Sequence, residues 1–169
     1  MNLIKDGLCM FSVYYDSPIG ILRIIEEDDF ITSIYALDDE QEVTQPQTPL
    51  LKQAVQQLDE YFAGTRKNFD LPLKQHGSDF QQGVWDELSR IGYGKTISYQ
   101  QQSKFLKNPL GIRAIASANG KNHLLIVVPC HRVIGSDGSM TGFGAGIWRK
   151  KWLLEHEARV MGVGQMTLF

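Results

Sequence analysis

The run Val128-Pro129-Cys130-His131-Arg132-Val133 places a thiol, an imidazole and a guanidinium side by side where an apolar stretch breaks at proline. The thiolate is the reactive form of cysteine, and cationic or basic neighbours lower a thiol pKa. Covalent catalysis needs such a pairing of nucleophile and base. A free cysteine is just as often a small buried hydrophobe, and these residues alone leave both readings open. Neighbouring side chains on an extended segment point to opposite faces, so His131 needs a turn or a water to reach the sulfur. Glu157 is one candidate to orient His131. It follows Leu153 and Leu154 by about one turn, at the edge of an apolar stripe. A carboxylate there either takes a partner or keeps its head in solvent.

A second constellation is electrostatic. Residues 1–77 carry 6 Lys/Arg and 13 Asp/Glu, a balance of −7, whereas residues 78–169 carry 11 and 6, a balance of +5. Nothing between Glu87 and Asp137 is acidic, and that stretch holds Arg90, Lys95, Lys104, Lys107, Arg113, Lys121 and Arg132. A one-sign segment in an otherwise acidic chain suits a polyanion, or is a solvated basic face with no partner. Within it, Ile112 to Asn119 reads as a helix with Ile112 and Ile115 toward a core and small residues elsewhere. Small residues permit close approach of another backbone, either DNA or a neighbouring helix.

The elements that must position these groups follow from pattern. Residues 11–15 and 19–25 flank Asp16-Ser17-Pro18 as a hairpin, and Phe30–Leu37 makes a third strand after the acidic turn at 26–29. Residues 38–47 form a loop. Thr48-Pro49 is an N-cap and first helical residue, with Leu51, Ala54, Val55, Leu58 and Phe62 at helical spacing up to Gly64. Residues 68–77 read as a linker. Ser78 caps a helix bearing Phe80, Val84, Leu88 and Ile91. Ser98 with Gln101 is a capping box opening a helix to about Lys107, which Asn108-Pro109-Leu110-Gly111 breaks before the helix at 112. Helix, short turn, helix is the helix-turn-helix pattern. Leu124–Val128 reads as a buried strand, Thr141–Gly146 as a Gly-rich loop, and Trp148–Arg159 as the last helix, with Trp85, Trp148 and Trp152 in the core.

The bulk numbers exclude several classes. With only Cys9 and Cys130 there is no disulfide framework, and a reducing cytoplasm is the simplest setting. No apolar run approaches the roughly 18 residues of a membrane span, and the first residues do not read as a signal peptide. His76, His123 and His156 lack the partners of a zinc site, so neither metal nor cofactor is expected.

Taken in order, Ile97-Ser98-Tyr99-Gln100-Gln101, Asn108-Pro109, Arg113-Ala114, Asn122, Pro129-Cys130-His131-Arg132-Val133 and Trp152-Leu153-Leu154-Glu155-His156-Glu157 resemble the O6-alkylguanine-DNA alkyltransferase family. The similarity is continuous from about Phe80 to Glu157; residues 1–75 share only length and a hairpin-rich layout. The resemblance implies an α+β fold: a ribonuclease H-like domain over 1–75, a largely helical domain with a winged helix-turn-helix-like element over 76–160, and a mobile tail over 161–169. It implies a monomer that flips O6-alkylguanine out of duplex DNA and takes the alkyl group irreversibly onto Cys130; activity on alkylated thymine does not follow from the sequence.

By position, His131 matches the base that acts through a water, Glu157 its orienting carboxylate, and Asn122 the brace of the active-site turn. Tyr99 matches the tyrosine that helps rotate the nucleotide and meets the flipped base. Arg113 matches the arginine that fills the gap in the stack. Ala114, Ser117 and Arg132 fall on the expected DNA side, in the minor groove, and Val133, Phe143 and Gly144 at the substrate pocket. Phe143 departs from the tyrosine of many relatives and cannot donate a hydrogen bond. Gln165-Met166-Thr167-Leu168-Phe169 resembles a sliding-clamp docking peptide; a tail folded back on the domain, or chance, are the alternatives. A non-catalytic lesion binder would lack Cys130, a plain helix-turn-helix regulator would leave Cys130 and Glu157 without purpose, and a cysteine hydrolase would turn over repeatedly.

Overall fold

The computed structural model describes residues 3–5, 8–107 and 111–162. The expected break at Asn108-Pro109-Leu110 and the tail peptide 165–169 lie outside them. The fold is α+β, with two compact units. One holds the described residues through Gln75 together with His123–Leu125; the other holds His76–Asn122 and continues from Ile126.

In the first unit, β1 (Leu3–Lys5), β2 (Leu8–Ser17), β3 (Gly20–Glu27) and β4 (Phe30–Ala36) form an antiparallel sheet in the order β1-β2-β3-β4. The first hairpin turns at Pro18-Ile19, two residues later than its composition suggests, because Ser17 still pairs with Gly20. Asp28 and Asp29 both have positive φ, 48° and 66°, the backbone of the tight turn whose twist matches a hairpin. Helix α1 (Pro49–Ala63) is capped by Thr48, whose hydroxyl accepts from the Leu51 amide, and stops at Gly64 with φ 82°. Its buried face is Leu51, Ala54, Gln57, Leu58 and Tyr61; Val55 and Phe62 are only half-buried.

Residues 68–77 are more than a linker. Leu73 forms a parallel bridge to Ile31, and Leu124 one to Ile34. The outer edge of β4 is thereby covered, and an uncovered edge invites pairing with other chains.

In the second unit, α2 (Asp79–Leu88) starts at Ser78 with a capping box closed by Gln81. It ends one turn earlier than expected, and its buried side chains are Val84, Trp85 and Leu88, while Phe80 is exposed. A two-residue strand, β5 (Ile97–Ser98), leads into α3 (Tyr99–Phe105), with the Ser98–Gln101 capping box in place. Helix α4 is Ile112–Gly120. Buried Gln102 and Asn119 exchange two amide hydrogen bonds of 2.8 Å, and Trp85 Nε1 donates to the Ala118 carbonyl, fixing α4 against α3 and α2.

Residues 124–128 are a correction. They are largely buried as expected, but only Leu124 bridges and the rest is turn, with Ile126 at φ 73°. That conformation is costly for a β-branched residue. It bends the chain into the 3₁₀ turn Cys130–Arg132, followed by β6 (Val133–Ile134). Helix α5 is Ile147–Val160. On it Trp148 is exposed rather than core, while Trp152 is half-buried and stacks on His156. No helix of the described residues is long and apolar enough to cross a membrane.

Candidate active site and nucleic-acid interface

Two short strands bring the distant pieces together. Strand β5 pairs in parallel with β6, Ile97 opposite Val133 and Ser98 opposite Ile134. Tyr99 begins the helix after one strand, and Cys130 lies in the turn before the other.

Asn122 braces that turn. Its Nδ2 donates to the Val128 carbonyl at 2.7 Å and to Cys130 Sγ at 3.3 Å. Cys130 is partly exposed. Its surroundings push the thiol pKa up by desolvation; the Asn122 hydrogen bond and the charge of Lys150 pull the other way without prevailing.

Behind the thiol lies a buried polar knot. His131 is fully buried, and its Nε2 is 2.7 Å from Glu157 Oε1. Glu157 is also fully buried. Its carboxylate further accepts from Arg132 Nε at 3.0 Å, Arg132 Nη2 at 2.9 Å and the Gly94 amide at 3.2 Å. Burial pushes the Glu157 carboxyl up, but His131 and Arg132 outweigh it and hold it far below the usual carboxylate range. Burial likewise lowers the His131 pKa, against the opposing pull of Glu157. The imidazole is therefore neutral at pH 7. With the carboxylate ionised, the proton belongs on Nε2, because only a donor suits that oxygen. Among the described residues Nδ1 has no hydrogen-bond partner, and it is left as the basic nitrogen.

The structure thus joins Cys130, Asn122, His131 and Glu157 into one arrangement, and the solvated reading of Glu157 falls. Arg132 is corrected. Expected on the DNA side, it is buried, doubly bonded to Glu157, donates from Nη1 to the Ile91 carbonyl at 2.6 Å, and lies 5.6 Å over the Tyr93 ring. An arginine so committed has no donor fork to offer a phosphate.

Tyr99 is half-buried and donates its hydroxyl to the Thr141 carbonyl at 3.1 Å, so it touches the Gly-rich loop. Phe143 in that loop is half-buried, Gly144 exposed, and Val133 fully buried. On α4, Arg113, Ala114 and Ser117 are exposed together, and Ile115, Ala118 and Asn119 are buried. The helix therefore presents one small-residue face with a single arginine.

Sequence reasoning missed Lys150. It is fully buried, and its Nζ donates to the Val133 carbonyl at 2.6 Å. The signal was available: Lys150, Leu153, Leu154 and Glu157 share one face of α5 by spacing. Among the described residues no group of three or more His, Cys, Asp or Glu could hold a metal.

Two family profiles match the chain: "6-O-methylguanine DNA methyltransferase, ribonuclease-like domain" over residues 10–75, and the "DNA binding domain" of the same family over 79–159. The constitutive methylated-DNA–protein-cysteine methyltransferase of Bacillus subtilis is 43% identical over 84% of this chain and 92% of its own. The Mycobacterium bovis methylated-DNA–protein-cysteine methyltransferase is 42% identical over 91% and 95%. Among solved structures, Mycobacterium tuberculosis O6-methylguanine methyltransferase superposes with a TM-score of 0.80 at 41% identity, covering 89% of this chain and 93% of that one. The same organism's protein in complex with DNA gives 0.79 at 42%, covering 87% and 92%.

Proposed function

The chain belongs to the 6-O-methylguanine DNA methyltransferase family, and on that premise we propose that Cys130 accepts the alkyl group of O6-alkylguanine in DNA, once per molecule, using His131 as its base. The observation that carries this reading is the state of His131. Its Nε2 is committed to Glu157 and its Nδ1 has no partner among the described residues, one residue from a sulfur that Asn122 holds.

Burial disfavours a free thiolate at Cys130. Transfer therefore needs a base at the moment of attack. Neutral His131 takes the proton at Nδ1 through a water, and Glu157 stabilises the imidazolium. The thiolate displaces guanine from the alkyl carbon: the S–C bond forms, the C–O bond breaks, and the electron pair leaves with the base. A hydrogen bond or proton to the departing guanine eases that step. We assign that role to Tyr99, whose hydroxyl gives up its bond to the Thr141 carbonyl to donate to the base, because Phe143 has no hydroxyl. The thioether product has no easy leaving group, so the reaction is stoichiometric.

Guanine O6 is buried by pairing and stacking, and the nucleotide must leave the helix first. The α4 face of Arg113, Ala114 and Ser117 suits a minor groove only about 6 Å wide, with Arg113 filling the vacated stack. Phe143 and Gly144 line the base pocket, whereas Val133, expected there too, is fully buried and is withdrawn from the lining. The chain divides into a 1–75 domain, a 76–160 alkyltransferase domain and a 161–169 tail. It works as a monomer in a reducing cytoplasm, and Gln165–Phe169 docks on a sliding clamp. Removal of 165–169 then abolishes clamp retention and leaves transfer intact.

The test uses duplex DNA carrying O6-methylguanine labelled in the methyl group. One label per chain on the wild type, and none on Cys130→Ser, is the expected result. Label released to solvent, or retained transfer in Cys130→Ser, overturns the reading.

A further inference from the structure

The loop that carries Phe143 has three glycines in six residues, Thr141 to Gly146, and Gly142 and Gly146 sit at φ 63° and 94°. Glycine loses more conformational freedom on ordering than any other residue. Such a loop keeps one shape only if its ends are held. Near its start the Tyr99 hydroxyl donates to the Thr141 carbonyl at 3.1 Å. In the reaction proposed above that bond is given up, because Tyr99 turns to the departing base. A hold that lasts through the transfer must therefore lie at the other end. Arg149, on the first turn of α5, lies there. It is only 4% exposed, and its Nη1 donates to the Ala145 carbonyl at 2.7 Å. Its guanidinium carbon is 4.6 Å from the centroid of the Trp148 ring, within the range of a cation–π contact. The indole in turn lies along the loop: a Cβ at Gly146 would sit 3.4 Å from Trp148 Cδ1 and 3.5 Å from its Nε1. The Gly146 amide closes the corner by donating to the Phe143 carbonyl at 2.9 Å.

We propose that Arg149 and Trp148 clamp the far end of the Gly-rich loop, and that Arg149 is thereby a positioning residue for the Phe143 wall of the base pocket. The proposal deepens the reading of Cys130 as the alkyl acceptor and rests on it. With the clamp in place, Tyr99 leaves Thr141 for the base and the loop does not follow. The arginine is suited to the task by shape as much as by charge. Its planar fork bonds a carbonyl in its own plane while an aromatic ring covers its face, which a lysine ammonium cannot do. Without the clamp, Phe143 meets the base at no fixed position, and a misplacement of about 1 Å costs roughly a hundredfold in rate. The loss is uneven between substrates. A loosened wall leaves empty space beside a methyl group, whereas a benzyl group fills that space.

The experiment places O6-methylguanine and O6-benzylguanine in the same duplex sequence, so that binding to DNA is common to both, and reads single-turnover transfer to the full chain. Arg149→Met is expected to slow methyl transfer about tenfold or more and to raise the benzyl-to-methyl rate ratio at least about fivefold, a modest change for pocket contacts. Arg149→Lys keeps the charge and loses the fork, so it should behave like Arg149→Met; full recovery in Arg149→Lys shows that charge alone matters and overturns the clamp. Trp148→Ala should move the ratio the same way by a smaller factor, and Trp148→Phe should restore it. An unchanged ratio in folded Arg149→Met overturns the proposal even if both transfers are slow, because uniform slowing marks a structural role. Should Arg149→Met not fold, Trp148→Ala decides by the same ratio, since Trp148 is 52% exposed and its truncation spares the core. A second readout uses neither DNA nor the thiol. Exchange of the Gly146 amide, followed by NMR, should quicken about tenfold or more in Arg149→Met, as loss of a hydrogen bond from a charged group allows, while the Arg132 amide, bonded to the Pro129 carbonyl, keeps its rate. Equal Gly146 exchange in both proteins overturns the clamp. Labelled methyl found elsewhere than on Cys130 in the wild type would instead refute the acceptor assignment, on which the exchange measurement does not depend.

Discussion

In the first unit the buried side chains are Val13, Ile19, Leu22, Ile24, Ile31, Ile34, Leu51 and Leu58 and their like, with Glu26, Thr32 and Gln57 the buried polar exceptions. In the second, Gln102, Ser103, Asn119, His131, Arg132, Arg149, Lys150, His156 and Glu157 are all buried. One unit is stabilised by apolar area removed from water, at about 25 cal/mol per Å². The other carries charges whose desolvation must be answered by partners, and a buried pair is at best near break-even against a well-packed apolar substitute. A chain that accepts such an arrangement retains it for something other than stability. The charges here gather on the cysteine turn, around His131, Arg132 and Glu157.

Glu157→Gln should break this contrast most severely. It removes the anion that accepts from His131, Arg132 and Gly94, leaving a buried guanidinium without its counter-charge. Breaking such a pair costs about 3–5 kcal/mol, and loss of base assistance slows transfer by roughly 10²–10⁴-fold. Denaturant melts and single-turnover label transfer read the two effects separately; a stable variant with normal transfer would refute the base assignment. Wild-type stability also acquires a predictable pH dependence. His131 and Glu157 both have lowered folded pKa values, so below about pH 6.5 for the histidine and about pH 4.3 for the carboxylate the unfolded chain binds more protons. Stability therefore falls as pH drops through those ranges. In Glu157→Gln the step near pH 4.3 should vanish.

Arg113→Ala tests the exposed side of the same unit and should have a smaller effect. Arg113 has no part in the buried knot, so the fold and the thiol should be unaffected. Flipping costs a few kcal/mol, and an arginine that offsets part of it is worth roughly 10–100-fold in transfer from duplex DNA. Transfer from free O6-benzylguanine, which needs no flipping, should be unchanged. Equal loss on both substrates would show that Arg113 acts on chemistry rather than on DNA.

The two units also differ in how legible they were. The apolar and β-branched runs 11–15 and 19–25 around Asp16-Ser17-Pro18 and the Thr48-Pro49 cap read directly as hairpin and helix, because the residues there obey their local preferences. The Ser78 cap and the Ser98 capping box were equally plain. Legibility failed where tertiary demands override local ones. Leu124–Val128 is apolar enough for a strand, yet Ile126 takes a left-handed conformation to deliver the cysteine turn. Arg132 looked like a phosphate ligand because charge near a basic segment suggests one; only the position of Glu157, 25 residues on, reveals its use. Lys150 was passed over because a lysine is read as solvated by default, although its spacing from Leu153 and Glu157 placed it inward.

The mildest test lies in the first unit. Leu58 is fully buried on the inner face of α1, where truncation to alanine removes about three carbons and leaves a void. Such changes cost about 2–5 kcal/mol, so Leu58→Ala should lower the urea midpoint clearly. Its effect on chemistry should be nil. Cys130, His131, Asn122, Glu157, Tyr99 and Lys150 all belong to the second unit, as do the bonds from Tyr99 to Thr141, Asn122 to Val128, His131 to Glu157 and Lys150 to Val133. Single-turnover transfer, normalised to active protein at a temperature where the variant is folded, should match the wild type within about twofold, the residue of small relaxations that any cavity produces. Were transfer to fall tenfold or more in folded Leu58→Ala, the apolar unit would be setting the geometry of the thiol. The separation between a unit that folds and a unit that reacts would then be wrong.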